Sequence, residues 1–317
     1  FGSSPRHPPR RQSPAPKMAA DPVALDPVVN SRGEKLALFC WAPAGAPERG
    51  TAVIFHGYAT NATFPTVRWL AELLLGVGLR CYVADMPGHG QSDGTPGLLP
   101  GVAGLVDDGV RVVAHVRSLH PGGQHLFLAG TSMGGAIALN VARRTAVDGA
   151  VLLAPMVKQS AANLPHPVVI SILRWVSYVV PWPAVISTNA SDPSLQYTDP
   201  ERRAECDRAE QYSGPMRLGT AATLLDTALD LHANLEEVRC PFWVGVGGRE
   251  VVVDPAGPED LHRRAQTPAE DKEFKRYPDA QHALLAEAQP LRGEIEADVA
   301  AWVRGRLGRP ALSQESA

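Results

Sequence analysis

The 317-residue sequence predicts an α/β protein whose mostly parallel central sheet carries helices on both faces and one helical insertion. Three observations carry that expectation. Short β-rich runs alternate with helical patterns along most of the chain, the rhythm of parallel strands joined by crossover helices. Several of those runs are apolar without a break, as strands covered on both faces must be. The rhythm then stops once, from Met156 to about Val238, where helical patterns and proline-rich turns replace strands.

In chain order, strands are expected at 36–41, 52–56, 80–84, 125–129, 150–153, 241–246 and 273–277. Helices are expected at 66–77, 102–119, 133–144, 258–265 and 293–306. The helix near 258 follows Asp254 and Pro255, a carboxylate placed to cap it and a proline suited to a first turn. Inside the insertion, 168–179 puts Val168, Ile172, Trp175, Val176 and Val179 on one face, with Ser171, Arg174 and Ser177 opposite. A second helix is expected over 216–231. Helices inserted after one strand of such a sheet read as a lid, because ligands bind at the strands' C-terminal ends in this architecture. The expected organisation is a disordered leader (1–20), a core in two parts (21–156 and 239–308) split by the lid (157–238), and a flexible tail (309–317).

Composition narrows the function classes. Residues 1–17 hold five prolines and four Arg or Lys but no acid, which cannot bury enough surface to offset ordering; a transit-peptide remnant is the other reading. A net charge of −3 advertises no basic face, so nucleic acid is not an expected partner. The four cysteines (Cys40, Cys81, Cys206, Cys240) are widely spread, without a CxxC pair, so neither a metal site nor a disulfide framework is expected. A reducing compartment follows. The best apolar run, 168–180, is too short to span a bilayer, carries Arg174, and is closed by Pro167 and Pro181. A cytoplasmic or peripheral-membrane location is expected.

The chemistry is concentrated in a few motifs. Gly130-Thr131-Ser132-Met133-Gly134 follows an apolar strand and opens a helix of small residues. That is the context of the GxSxG nucleophile elbow of the α/β-hydrolase fold, so Ser132 is the expected nucleophile. Flanking glycines let neighbouring backbone approach without Cβ clashes. Acyl transfer needs two N–H donors where the carbonyl oxygen becomes negative. The backbone N–H of Met133 supplies one, and that of Tyr58, in the loop after the early strand ending at His56-Gly57, the other. In this fold the acid and then the histidine follow the nucleophile in sequence. His282 meets that order, whereas His89, in a turn dense with glycine, lies before the serine. Glu250 and Asp254 both follow the strand at 241–246. Asp254 has a helix to cap, so Glu250 is the favoured acid and Asp254 the alternative.

Together these motifs resemble the monoacylglycerol lipase branch of the α/β hydrolases, its plant lysophospholipase-like members above all. The matching pieces are His56-Gly57-Tyr58, Asp85 through Asp93, Gly130 through Gly135, Leu153 through Met156, and Tyr277 through Leu285, within a resemblance spanning about Val28 to Arg306. The resemblance implies hydrolysis of monoacylglycerol or lysophospholipid esters without a cofactor or metal. It also implies a lid whose apolar residues, Ile172, Trp175, Val176 and Val179, line an acyl channel or rest on a membrane. Two departures stand out. Glu250 occupies the position where the family has aspartate, and the loop Ala59-Thr-Asn-Ala62 lacks the acidic residue animal members carry near the glycerol group. Rival readings are an esterase of small aromatic, caffeoyl-type esters and a non-catalytic binding protein that retains the fold. A dehalogenase or epoxide hydrolase would need aspartate in place of Ser132.

Overall fold

The computed structural model describes residues 21–44, 47–160, 166–186 and 193–312. The expected leader and residues 313–317 of the expected tail lie outside the described residues. Eight strands form one sheet in the order β1-β2-β4-β3-β5-β6-β9-β10. These are β1 (Val23–Val29), β2 (Lys35–Trp41), β3 (Gly50–Phe55), β4 (Leu79–Ala84), β5 (His125–Thr131), β6 (Gly149–Leu153), β9 (Phe242–Gly247) and β10 (Lys272–Tyr277). From β4 to β10 every pairing is parallel, while β2 runs antiparallel to both β1 and β4.

The unbroken apolar runs divide their side chains between two cores. Val53 and Phe55 of β3, Leu126 and Leu128 of β5, and Phe242 and Val244 of β9 face one core. Ala52 and Ile54, Phe127 and Ala129, and Trp243 face the other. Helices α2 (Gly101–Ser118), α3 (Met133–Ala142), α6 (Leu218–Ala233) and α7 (Ala256–Arg264) cover the first, through residues such as Val112, Ile137, Leu231 and Leu261. Helices α1 (Pro65–Leu75) and α8 (Leu291–Leu307) cover the second with Leu70, Leu74, Ile295 and Val299. Each such side chain contributes about 1.5–3 kcal/mol relative to exposure, so the strands are held from both sides and their C-terminal ends form one firm edge.

The structure departs from expectation in four places. Strand β1 was not expected; most of its residues are exposed, so it carries no apolar period. It is added through a turn in which Asn30 Oδ1 accepts the N–H groups of Arg32 and Glu34. The stretch expected to hold no strand contains a small antiparallel pair, β7 (Ala184–Ile186) and β8 (Met216–Arg217), too short to show a period. The second expected insertion helix, α6, packs on α2 and α3 and buries Leu224, Ala228 and Leu231 in the core. Of the other described elements of the insertion, α4 (Pro167–Val179) and the β7–β8 pair pack on α6, and α5 (Pro200–Arg208) packs on α1. Finally, the expected loose tail is tied down as far as Leu312, whose N–H donates to Asp148 at 2.8 Å, with Arg309 paired to Asp271.

Helix α4 leaves most of its large apolar side chains exposed. The side turned to the body carries Ile170 and Leu173, both half-buried, and the buried Ser177, while the exposed Arg174 pairs with Asp226 of α6 at 2.7 Å. Its apolar stripe faces outward, with Val168, Ile172 and Val176 exposed, Trp175 at 78% and Val179 at 74%. Tyr178, Trp182 and Val185 extend the exposed surface.

Candidate active site

Strand β5 delivers Ser132 into a turn with φ 56° and ψ −119°, a conformation that L residues other than glycine rarely adopt. Such strain costs about 1–3 kcal/mol and persists only where the surroundings over-determine it. Here they do. The Ser132 N–H donates to Leu153 O, and its carbonyl accepts from Ala136 and Met156. A Cβ on Gly134 would stand 1.9 Å from Phe55 O, and one on Gly130 would stand 2.3 Å from the Gly134 carbonyl carbon. The elbow's glycines are thus required by backbone lying against backbone. The other positive-φ residues besides glycine among those described, Ala59 and Ala154, lie in loops after β3 and β6 on the same edge.

His282 and Glu250 reach this edge from β10 and β9. His282 is 4% exposed, and its Nδ1 stands 2.7 Å from Glu250 Oε2. Glu250 Oε1 accepts the N–H groups of Val252 and Val253, so both carboxylate oxygens are occupied. Burial pushes its carboxyl up, but the charge and hydrogen bond of His282 and the two N–H groups outweigh that and hold it below the usual carboxylate range. A proton on Nδ1 donated to Glu250 leaves Nε2 with the lone pair a general base needs. Thr131, beside Ser132, and Ala283, beside His282, line one small cavity with Leu153 and Leu284.

Asp254, the alternative acid, is engaged elsewhere. It accepts the Ala256 N–H at 2.9 Å at the start of α7 and pairs with Lys158 at 2.8 Å. The helix start explains the first contact; the partner lysine carried no signal in the sequence.

Met133 is the first residue of α3, so its N–H has no acceptor within the helix. The loop carrying Tyr58 is pinned from below. His56 is fully buried: its Nε2 accepts the Met86 N–H at 2.9 Å, which puts the proton on Nδ1, donated to Gly57 O at 2.7 Å. Burial lowers its pKa to about 4, so it serves as a neutral bracket. Asp85 accepts the N–H groups of Ala62 and Gln91, tying this loop to the one after β4. His89, the rival base, donates from Nδ1 to Pro87 O and is also held down to about 4 by burial. Its ring packs between those of His56 and Tyr58. The role of Asp85 was not read from the sequence, although its place in a dense turn motif was visible.

Ile172, Trp175, Val176 and Val179, expected to line an acyl channel or rest on a membrane, are all exposed. Among the described residues no group of three or more His, Cys, Asp or Glu side chains converges as a metal site requires.

A family model described as serine aminopeptidase, S33 (Hydrolase_4) matches residues 46–289. Mouse monoglyceride lipase is 26% identical over 295 residues, covering 89% of this chain and 91% of that protein. Arabidopsis caffeoylshikimate esterase is 24% identical over 85% of this chain and 82% of its own length. Among solved structures, a soluble variant of the Saccharomyces cerevisiae monoglyceride lipase in complex with a substrate analog superposes with a TM-score of 0.76. It covers 93% of this chain and 99% of that one at 20% identity, a likeness of fold: the α/β-hydrolase fold.

Proposed function

Because the chain belongs to the Hydrolase_4 family of serine hydrolases, matched over residues 46–289, we propose that Ser132, His282 and Glu250 form its catalytic triad and that it hydrolyses carboxylic esters of fatty acyl chains, monoacylglycerol first. The observation that carries this reading is the 2.7 Å bond from His282 Nδ1 to Glu250, on the same sheet edge as the strained turn of Ser132. In the first step Ser132 Oγ bonds to the ester carbonyl carbon while His282 Nε2 takes its proton. Glu250 stabilises the imidazolium, and the N–H groups of Tyr58 and Met133 hold the oxyanion. The imidazolium then protonates the departing alcohol. Water, deprotonated by His282, attacks the acyl-enzyme, and the fatty acid leaves with Ser132 restored.

The family description names a peptidase, whereas the relatives quoted are named for ester hydrolysis; the same triad steps serve both bonds. Among the described residues no helix is long and apolar enough to cross a membrane. The outward stripe of α4 suits a peripheral contact instead, with Trp175 and Val179 entering the lipid boundary and the insertion acting as a lid. The caffeoyl-ester reading is supported by the Arabidopsis relative's match over most of the chain. Initial rates on monoacylglycerols, lysophospholipids and caffeoyl esters, with fluorophosphonate labelling of wild type and Ser132→Ala, decide the matter. Long-chain monoacylglycerol should turn over fastest, and labelling should vanish in the variant. A caffeoyl ester preferred over all lipids would replace the substrate; labelling undiminished in Ser132→Ala would remove the mechanism.

A further inference from the structure

Glu250 fixes the ring of His282, and a second buried carboxylate fixes the backbone that carries it. Glu287, five residues further on, is 2% exposed. Its Oε1 accepts the Gln281 N–H at 2.6 Å, immediately before His282. Its Oε2 accepts the hydroxyl of Thr198 at 2.5 Å. A buried carboxylate is an expensive acceptor for one amide and one hydroxyl, and burial indeed pushes its carboxyl up against the pull of those two hydrogen bonds. Something other than packing keeps it there.

The segment that supplies Thr198 belongs to the insertion, and it follows the histidine's loop residue by residue. Ala283 N–H donates to Gln196 O, and Asp199 N–H donates to Ala286 O. Arg202 donates to Leu285 O at 2.5 Å, and Ala288 N–H donates to Thr198 Oγ1 at 3.2 Å. Asp199 in turn pairs with Arg292 of α8. The loop therefore cannot slide without breaking bonds to Glu287 or to the insertion.

We propose that Glu287 is a positioning residue for His282, and that Thr198 makes the insertion part of the same support. The inference rests on His282 being the general base. A base displaced by about 1 Å can lose about 10²-fold in rate, so support of this loop is read directly in turnover. The insertion then does more than cover the site: its seating sets the histidine.

The test measures kcat and KM on a soluble short-chain ester, with the rate of fluorophosphonate labelling, for wild type, Glu287→Ala, Glu287→Gln and Thr198→Val. Glu287→Ala should lower kcat by about 10- to 100-fold with KM within about two-fold, and labelling should slow in step. Glu287→Gln keeps an acceptor for the Gln281 N–H and should return to within about three-fold of wild type. A folded Glu287→Ala with wild-type kcat, or a loss confined to KM, would overturn the proposal. Should Glu287→Ala fail to fold, Thr198→Val decides: a several-fold lower kcat at constant KM supports the proposal, and wild-type kcat overturns it. His282→Ala separates the premise from the inference. If His282→Ala still turns over, the triad reading fails. If it is dead while Glu287→Ala is unaffected, only the positioning role fails.

Discussion

Helices α3 and α4 are both apolar, yet one is swallowed by the fold and the other displayed on it. Residues 133–141 of α3 are all buried, whereas Trp175, Tyr178 and Val179 of α4 are among the most exposed large side chains described. Side-chain size separates them. Gly134, Gly135, Ala136 and Ala138 let α3 settle until its backbone meets the carbonyl of Phe55 and the ring of Pro155. Val, Ile, Trp and Tyr on α4 leave no such approach, so the helix is held on α6 by a narrow line, Ile170, Leu173 and Ser177, with the Arg174–Asp226 pair beside it. Apolarity alone does not decide burial; the neighbour's backbone must be able to come close.

That contrast can be broken from either side. The largest effect should come from Glu250, the buried carboxylate proposed for the triad. Glu250→Gln should lose about 10²–10⁴-fold in kcat with little change in stability, because the imidazole loses its orientation and its counter-charge. Asp254→Asn, outside the triad, should cost at most about 1 kcal/mol and leave turnover intact. Steady-state kinetics with urea melts check both, and the opposite ranking would reassign the acid.

Next is Gly134→Ala. Its Cβ would collide with the carbonyl of Phe55, which cannot move without tearing β3 from β5. A loss of about 3–5 kcal/mol, seen as a lower urea midpoint, is expected; a stable, active variant would show that α3 has slack.

Acid probes the same side. His56 and His89 are held to about 4 in the fold, below an ordinary histidine near 6.5. The unfolded chain therefore binds more protons between those values, so stability is fully present above pH 6.5 and falls as pH drops towards 4. The loss is on the order of 3 kcal/mol for each histidine across the window. Urea midpoints at pH 7, 5.5 and 4.5 measure it, and a flat profile would mean that neither ring is buried neutral.

The smallest effect belongs to α4. Ile172→Ser with Val176→Ser should shift stability by only about 0.5 kcal/mol, as exposed positions do. Hydrolysis of a long-chain ester presented in vesicles should nevertheless fall about ten-fold, with a soluble short-chain ester unaffected. Equal losses on both substrates would mean that the stripe packs against protein during turnover.

Much of this was legible from residues alone. The central strands were readable because each is buried on two faces, and the elbow because its glycines and serine form a local pattern tied to one turn. Glu250 could be preferred over Asp254 because the latter had a visible alternative duty. Strand β1 escaped because a largely exposed strand needs no apolar period. Asp85, Glu287 and Thr198 escaped because each has a partner that only the fold brings near, Ala62 for Asp85 and the other's side chain for Glu287 and Thr198, and such partners leave no local pattern. The apolar stripe of α4 could be drawn from periodicity, but its direction could not: a stripe says that a face differs, not what it meets.

The turn of Ser132 has a consequence for how this sequence persists. At φ 56° glycine would relieve the strain, and a serine codon of the AGC type becomes a glycine codon by one base change. A lineage selected for foldability alone would drift across that step and be rewarded for it. Under the proposed triad, the need for a hydroxyl at this position is what would oppose that drift. The same asymmetry warns the engineer: a redesign scored only on stability will choose glycine at 132 and remove the proposed nucleophile.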